Sequence, residues 1–486
     1  MTGGATRPLD AAGGGRRAAV RIAYPVGYDA ERRYALQLVL EHVLGVAHTA
    51  EPGADGEYVT ITAPEHGGAR RLRVLDRLFR TPRNEWLTAA SLPATPVQWM
   101  AVPEFPDADP SCPRRIPVLY GPAARPACIR MDDEEIVIDV DLFGGAFFMA
   151  TRYEEAVVEA TDRYGRFPAA ASLAHREGFL QLPLVHVYAE LLWACMHALW
   201  PALQRRRRSY RLVLTHDVDE PFCVAGQPPL RVLKQVGGDL VVRRDVALAG
   251  SRISSLADAL RGGRSRDPCL WAFDAIMERS ERINCRSAFY FMAESAGPEE
   301  ESRYSLGDPA IRDLMRRIAA RGHEVGLHPG FGTHLDARRI AAEFWRLRQT
   351  ADELGIRQER WGGRQHYLCW RNPQTWRAWE DAGLDYDSSV GFPERVGFRA
   401  GMCCEYPVFD LVAGRELRLT ERPLVAMDVT LWSYMNLTAE GALEQLRDLA
   451  AVCRSYRGEF CVLVHNNYLA STARRRAYDR WLDALS

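Results

Sequence analysis

From residue 19 the chain alternates short apolar runs with stretches whose apolar positions recur every three or four residues. Runs of the first kind predict strands at 19–24, 58–62 and 136–140, and stretches of the second predict helices at 34–44 and 184–199. Together they predict an α/β or α+β domain over 17–204. Within it, Phe147-Phe148-Met149-Ala150-Thr151-Arg152-Tyr153-Glu154-Glu155 turns from aromatic to acidic and reads as a packed helix with its caps. Residues 1–16 are small, polar and glycine-rich, which predicts disorder.

The rhythm changes after Arg205-Arg206-Arg207-Arg208, a basic run read as a solvated linker. Candidate strands follow at 212–215, 287–292, 324–327, 386–388, 424–428 and 460–464. Helical patterns lie between most of them, at 309–320, 337–354, 375–382 and 441–453. Strands alternating with helices argue for parallel βα units, and this number of strands favours a (β/α) barrel over 209–486 rather than an open sheet. The stretch from about 221 to 284 interrupts the rhythm as a long insertion after the first strand, and such insertions commonly form lids or binding walls.

Composition narrows the class of protein. The 486 residues exceed what one core usually supports, so two domains are expected. A net charge of -1 offers no electrostatic case for nucleic acid or an anionic membrane as a partner. Eleven cysteines without a CxxC pair fit reduced thiols better than a disulfide framework. The N-terminus has no apolar core of a signal peptide. The apolar stretch 182–200 carries Glu190, His186 and His197, so it reads as a buried helix and not a membrane span. These features predict a soluble cytoplasmic protein of unknown oligomeric state.

Chemistry concentrates at predicted strand ends. Arg211-Leu212-Val213-Leu214-Thr215-His216-Asp217-Val218-Asp219 is an apolar strand that ends in two carboxylates spaced i, i+2, which point the same way on an extended backbone. Two acids side by side in a dry pocket call for a cation. His328 and His465 each close another apolar run. The C-terminal ends of parallel strands converge on one barrel mouth, so residues placed there share a pocket. Carboxylate and imidazole together suit Zn²⁺ or another divalent first-row metal, with Co²⁺ and Ni²⁺ also open.

Thr215-His216-Asp217-Val218-Asp219, Ser287-Ala288-Phe289-Tyr290-Phe291 and Gly322-His323-Glu324-Val325-Gly326-Leu327-His328 resemble the successive motifs of the NodB-type polysaccharide deacetylases, the metal-dependent carbohydrate esterases of family four. Tyr386-Asp387-Ser388-Ser389 and Leu463-Val464-His465 continue the series in order, and the match covers about residues 209–470. The N-terminal half resembles the domain that precedes such modules in one branch of the superfamily, through 147–155 and Asp162-Arg163-Tyr164-Gly165-Arg166-Phe167. The resemblance implies a distorted (β/α) barrel that hydrolyses an N-acetyl amide, with an N-acetylated carbohydrate as substrate. It makes Asp217 the general base, Asp219 and His328 metal ligands, His465 the donor of a proton to the departing amine, and Arg364 the cation that holds the base ionised.

The chain departs from that pattern in two places. The family supplies two histidines at H-x3-H spacing, whereas position 332 is Gly332. Either His366 or His334 replaces the missing ligand; His366 is preferred because it lies two residues from Arg364, while His334 starts the following helix. The two acids of the first motif are separated by Val218 where many relatives have them adjacent, which opens the substrate to cyclic amides or ureides. Tyr367, Arg399 and Trp432 are candidates for substrate contact, and Asp428 for fixing a histidine tautomer. His216 and His323 read as structural. A third reading is a silent glycan- or partner-binding module that has lost its metal along with the H-x3-H pair.

Overall fold

The computed structural model describes residues 19–53, 56–66, 69–105, 109–264, 266–293 and 304–486. The expectation of disorder at 1–16 lies outside them. The N-terminal part is built on strands β1 (Val20–Tyr24), β2 (His48–Pro52), β3 (Tyr58–Thr62), β4 (Arg71–Leu75), β7 (Ile129–Met131) and β8 (Glu135–Ile138), with a separate ribbon of β5 (Gln98–Ala101) and β6 (Arg115–Val118). The six-stranded sheet runs β2-β1-β3-β4-β8-β7 and mixes parallel with antiparallel pairs. Its core is closed by two helices, Leu142–Ala150, buried along its whole length, and Leu184–Leu199. The strands β1, β3 and β8 follow the apolar pattern that predicts them, alternating in β1 and β3 and continuous in β8. Strand β2 escapes it because an edge strand leaves most of its side chains in water and needs no buried face.

The second part carries β9 (Arg211–Val218), β10 (Ser287–Phe291), β11 (Glu324–Leu327), β12 (Gly362–Gly363), β13 (Tyr386–Asp387), β14 (Tyr406–Asp410), β15 (Arg415–Glu421), β16 (Ala426–Met427) and β17 (Glu459–Leu463). They form one sheet in the order β14-β15-β13-β12-β11-β10-β9-β17-β16, parallel throughout except for the β14–β15 hairpin. Among the described residues the sheet does not close by strand pairing, which corrects the expected barrel. The hairpin takes the free edge of β13, so β16 never reaches it. The sheet is nevertheless strongly curled. The Arg364 side chain, just past β12, reaches Asp217 on β9 at 2.8 Å across two intervening strands that would span roughly 14 Å if flat. Irregular segments bridge the gap: Leu424 N–H donates to the Val390 carbonyl at 3.2 Å and Gly397 N–H to that of Val425 at 2.9 Å.

Strand β12 was invisible to hydrophobic pattern because it is a glycine pair. At Gly363 a Cβ would stand 1.8 Å from the Leu327 carbonyl oxygen, so only glycine lets β12 seat against β11 and present Arg364 inward. The long insertion after β9 forms two helices, Pro229–Val241 and Val246–Ala259, before the crossover helix Pro268–Arg282 returns the chain to β10.

The two parts share a buried boundary. The segment expected to be one capped helix over 147–155 is broken at Arg152 (φ 53°) into Leu142–Ala150 and Tyr153–Val157. Its break faces the second part: Asn372 Nδ2 donates to the carbonyls of Thr151 and Arg152 at 2.8 and 2.9 Å. At the same boundary His42 and His186 flank the Cys404 thiol. Burial, reinforced by the Arg208 charge, lowers both imidazoles to about 3. Both rings therefore stay neutral in the fold, while in the unfolded chain they take up protons below their ordinary pKa near 6.5. Stability is then fully present above that value and lost as pH falls toward 3, by about 1.4 kcal/mol per pH unit for each ring once the unfolded chain is fully charged. Urea midpoints should fall between pH 7.5 and 5, and His186→Gln should flatten the slope; equal midpoints across that range would refute this account.

Candidate metal centre

Strand β9 brings Asp217 to the C-terminal mouth of the curled sheet and turns His216 away from it. His216 is buried, its Nδ1 2.7 Å from the Val464 carbonyl and its Nε2 3.3 Å from Ser287 Oγ, which is a structural role. The Asp217 carboxylate is clamped by Arg364, whose side chain is completely buried. Arg364 is itself fixed by Thr215 Oγ1 at 3.0 Å and by the hydroxyl and carbonyl oxygens of Ser388, each at 2.8 Å. These four hydrogen bonds hold the guanidinium as a rigid fork against the Asp217 side chain.

Asp219 lies just beyond the strand and keeps about a quarter of its side chain exposed (27 %), so it faces the mouth. His328, at the end of β11, places Nε2 3.1 Å from Asp219 Oδ1 and 3.8 Å from Asp217 Oδ2. Its Nδ1 lies 2.6 Å from the Arg364 carbonyl, a contact that requires Nδ1 to be the protonated nitrogen of the neutral ring. The Nε2 lone pair then points at a carboxylate oxygen, and two acceptors at that separation repel unless a cation or proton lies between them. Consistently, Asp219 Oδ1 and His328 Nε2 are buried atoms with no hydrogen-bond partner. His366 joins them: its Nε2 is 3.9 Å from the same oxygen, its ring centroid 5.0 Å from that of His328, and its Nδ1 also lacks a partner. One ligand atom from each of Asp219, His328 and His366 falls within 4.8 Å of the others. The donor set, one oxygen and two imidazole nitrogens, fits a divalent first-row metal with open positions.

Electrostatics agree with that grouping. Burial opposes ionisation of Asp219, but the surrounding imidazoles, His328 first and then His366 and His465, outweigh it and hold the carboxyl well below the usual range. Burial lowers His366 to about 4, so the ring is a neutral ligand at neutral pH. Opposite the trio, His465 follows β17 with Nε2 3.6 Å from Asp219 Oδ2. Its Nδ1 and backbone N–H bond the wholly buried Asp428 carboxylate at 2.7 and 2.8 Å. Burial works against a charge on this ring too, yet the Asp428 carboxylate, aided by Asp219 and Asp217, pushes it up to about 10.

The remaining candidates separate. His334 is buried in the turn Thr333–Leu335 and is not part of the trio; its carbonyl accepts from Thr375 Oγ1. His323 lies at the opposite end of its strand, bonded by Ser287 N–H at 3.1 Å. Tyr367 is half-buried beside His366, with ring centroids 4.4 Å apart. Trp432 stacks on Tyr468 and Trp481 on the His465 side of the mouth. Arg399 does not meet the mouth as expected. Its buried guanidinium is bidentate to Glu155 of the N-terminal part, at 2.8 and 2.5 Å, and leaves no charge for a substrate. A second group, Cys223, Asp267 and Cys269, also has metal-like composition, but both Asp267 oxygens are taken by the N–H groups of Cys223, Val224, Ala225 and Cys269. Asp267 is the cap of the helix Pro268–Arg282 and the group needs no ion.

Sequence reasoning missed the contribution of the N-terminal part to this mouth. Tyr164 stacks on Tyr367 at 5.1 Å and 14°, and Arg166 Nη1 donates to the Tyr367 carbonyl at 2.8 Å. The motif 162–167 stands out as a unit in the sequence, but only the folded chain shows it built against the loop that carries His366. Tyr367 sits in the left-handed region (φ 60°), a strained conformation that these contacts hold.

Comparison with known proteins adds little. The model of a family of unknown function (DUF7033) matches residues 21–201. No curated protein matches the chain. Among solved structures the chain is similar to a polysaccharide deacetylase-like protein from Mycobacterium smegmatis, at 16% identity over 58% of this chain and 85% of that one, with a TM-score of 0.37. It is also similar to the allantoinase PuuE, at 13% identity over 58% and 85%, TM-score 0.34. A chitin deacetylase from the fungus Colletotrichum lindemuthianum gives 12% identity over 58% and 85%, TM-score 0.27.

Proposed function

We propose that this chain is a metal-dependent hydrolase that removes an N-acetyl group from a sugar, of the kind needed in surface polysaccharide or glycoconjugate synthesis. The observation that carries the proposal is the division of labour at the mouth. Asp217 is clamped by Arg364, next to the unpartnered trio Asp219, His328 and His366, and faces His465 on its Asp428 support. When bound by the trio, the metal, Zn²⁺ above all, would supply Lewis-acid polarisation of the amide carbonyl and lower the pKa of water. Asp217, held in place by Arg364, accepts the proton of the attacking water. His465, oriented by Asp428, delivers a proton to the nitrogen so that it departs as an amine rather than as an amide anion. Tyr367 and Trp432 offer aromatic faces at the two sides of the mouth for a sugar ring.

The test is metal content followed by a hydrolysis screen. Wild type should hold about one divalent ion per chain; His366→Ala should weaken its binding by roughly tenfold or more, and His334→Ala should leave it unchanged. N-acetylhexosamines should then release acetate. A chain that binds no metal after reconstitution with zinc, cobalt or nickel would refute the proposal. Turnover of cyclic imides or ureides alone would keep the metal chemistry and replace the substrate.

A further inference from the structure

Apolar side chains left in water are unevenly spread over this molecule. Among the described residues, eight of the sixteen large exposed ones fall between 230 and 260, on the two insertion helices and their connection. On Pro229–Val241 they are Leu230, Leu233, Leu240 and Val241, spaced i, i+3, i+10 and i+11, which is one narrow face. On Val246–Ala259 and its end they are Val246, Ile253 and Leu260, spaced by seven, again one face. The opposite faces are the buried ones, through Val232 and Val236 on the first helix and Leu248 and Ser255 on the second. The most exposed of the eight are Val242 in the connection, at 81 %, and Leu230 and Val241 at the two ends of the first helix, at 80 and 77 %. A patch of this kind marks an interaction site.

The charge of the element says what it meets. Residues 229–264 carry seven basic and three acidic residues in a chain of net charge -1. Of the acids, Asp239 is buried and spent on Arg243 and Arg252, and Asp245 caps the second helix. Arg231, Lys234 and Arg244 are exposed beside the apolar face and have no carboxylate partner among the described residues. A second copy of this chain would set one basic hairpin against another. An apolar face with basic flanks is instead the arrangement of helices that lie in the interface of an anionic bilayer. None of the described helices is long and apolar enough to cross a membrane, so contact would be in the plane of the surface.

We infer that the helical hairpin 229–264 is a membrane-docking element for anionic lipid surfaces. It is seated on the rim of the mouth. The Asp245 carboxylate accepts from Thr472 N–H at 2.8 Å, in the segment that follows His465. Asp267 grips the backbone of residues 223–225, a few positions past Asp219. Docking by this hairpin therefore brings the mouth to the lipid headgroups. The inference is independent of the hydrolytic reading, since it rests on the surface alone.

The experiment is co-sedimentation of the full chain with vesicles of phosphatidylglycerol and phosphatidylethanolamine, against vesicles of phosphatidylcholine. Wild type should pellet with the anionic vesicles, and less so as salt rises. The exposed pair Leu240→Glu with Val241→Glu should lower binding about tenfold or more, and Lys234→Ala with Arg244→Ala should lower it and flatten its salt dependence. Unchanged melting temperature would show both variants folded. Absence of binding to anionic vesicles at low salt, or equal binding by the glutamate variant, would overturn the inference. So would a wild-type dimer in light scattering that the glutamate variant turns into a monomer, since the occupant would then be a second copy.

Discussion

Asp217→Asn is expected to lower turnover of an N-acetyl sugar by about 10²- to 10⁴-fold, the range for loss of a positioned general base, while the bound metal stays. The asparagine keeps the shape of the side chain and removes only its basicity. Metal content should persist because the unpartnered atoms belong to Asp219, His328 and His366, not to Asp217. The contrast with Asp219→Asn is the informative part, since that substitution should lose metal and activity together. Elemental analysis and initial rates on the two variants separate the roles. If Asp217→Asn lost its metal, Asp217 would be a ligand; if it kept full turnover, the base would lie elsewhere.

Glu155→Ala is expected to destabilise the protein by about 3–5 kcal/mol without touching the mouth. The Glu155 side chain is 3 % exposed and stands between the guanidinium groups of Arg152 and Arg399, one from each part of the molecule. Burial disfavours its charge, but Arg399 and then Arg152 more than compensate, and its carboxyl is held below the ordinary range. Removing it strands Arg399 as a buried cation, whose other contacts are the Gly391 carbonyl and the rings of Phe392 and Trp370. Arg152 retains Glu154. Replacing both partners, Glu155→Met with Arg399→Met, should cost less than the single change, because no charge is then left unpaired. Urea unfolding measures all three; a single variant within about 1 kcal/mol of wild type would show that the pair contributes little to holding the two parts together.

How much of this was legible in the chain differs from element to element. The strands β9, β10, β11 and β17 were readable because parallel strands covered on both faces are continuous apolar runs. The strands β12, β13 and β16 are two residues long, too short for any periodicity, and β12 is all glycine. The hairpin β14–β15 fell where helices and strands were expected to alternate, so the expected closure of the barrel failed at that edge. In the site, Asp217, Asp219, His328 and His465 announce themselves as polar residues that end apolar runs. His366 does not, because it follows no apolar run, and its choice over His334 rested on proximity to Arg364. Arg399 was misread because an arginine near a glycine-rich turn carries no mark of its partner 244 positions away.

Local pattern alone determined that the C-terminal part delivers acids and imidazoles at strand ends, since strand periodicity and apolar runs are properties of neighbouring residues. The tertiary structure decided everything that depends on which strand ends meet: the trio Asp219, His328 and His366, the clamp of Arg364 on Asp217, the support of His465 by Asp428, and Tyr164 against Tyr367. Those contacts join residues tens to hundreds of positions apart. They are set by the curl of the sheet and by where glycine lets strands approach, which no local period records.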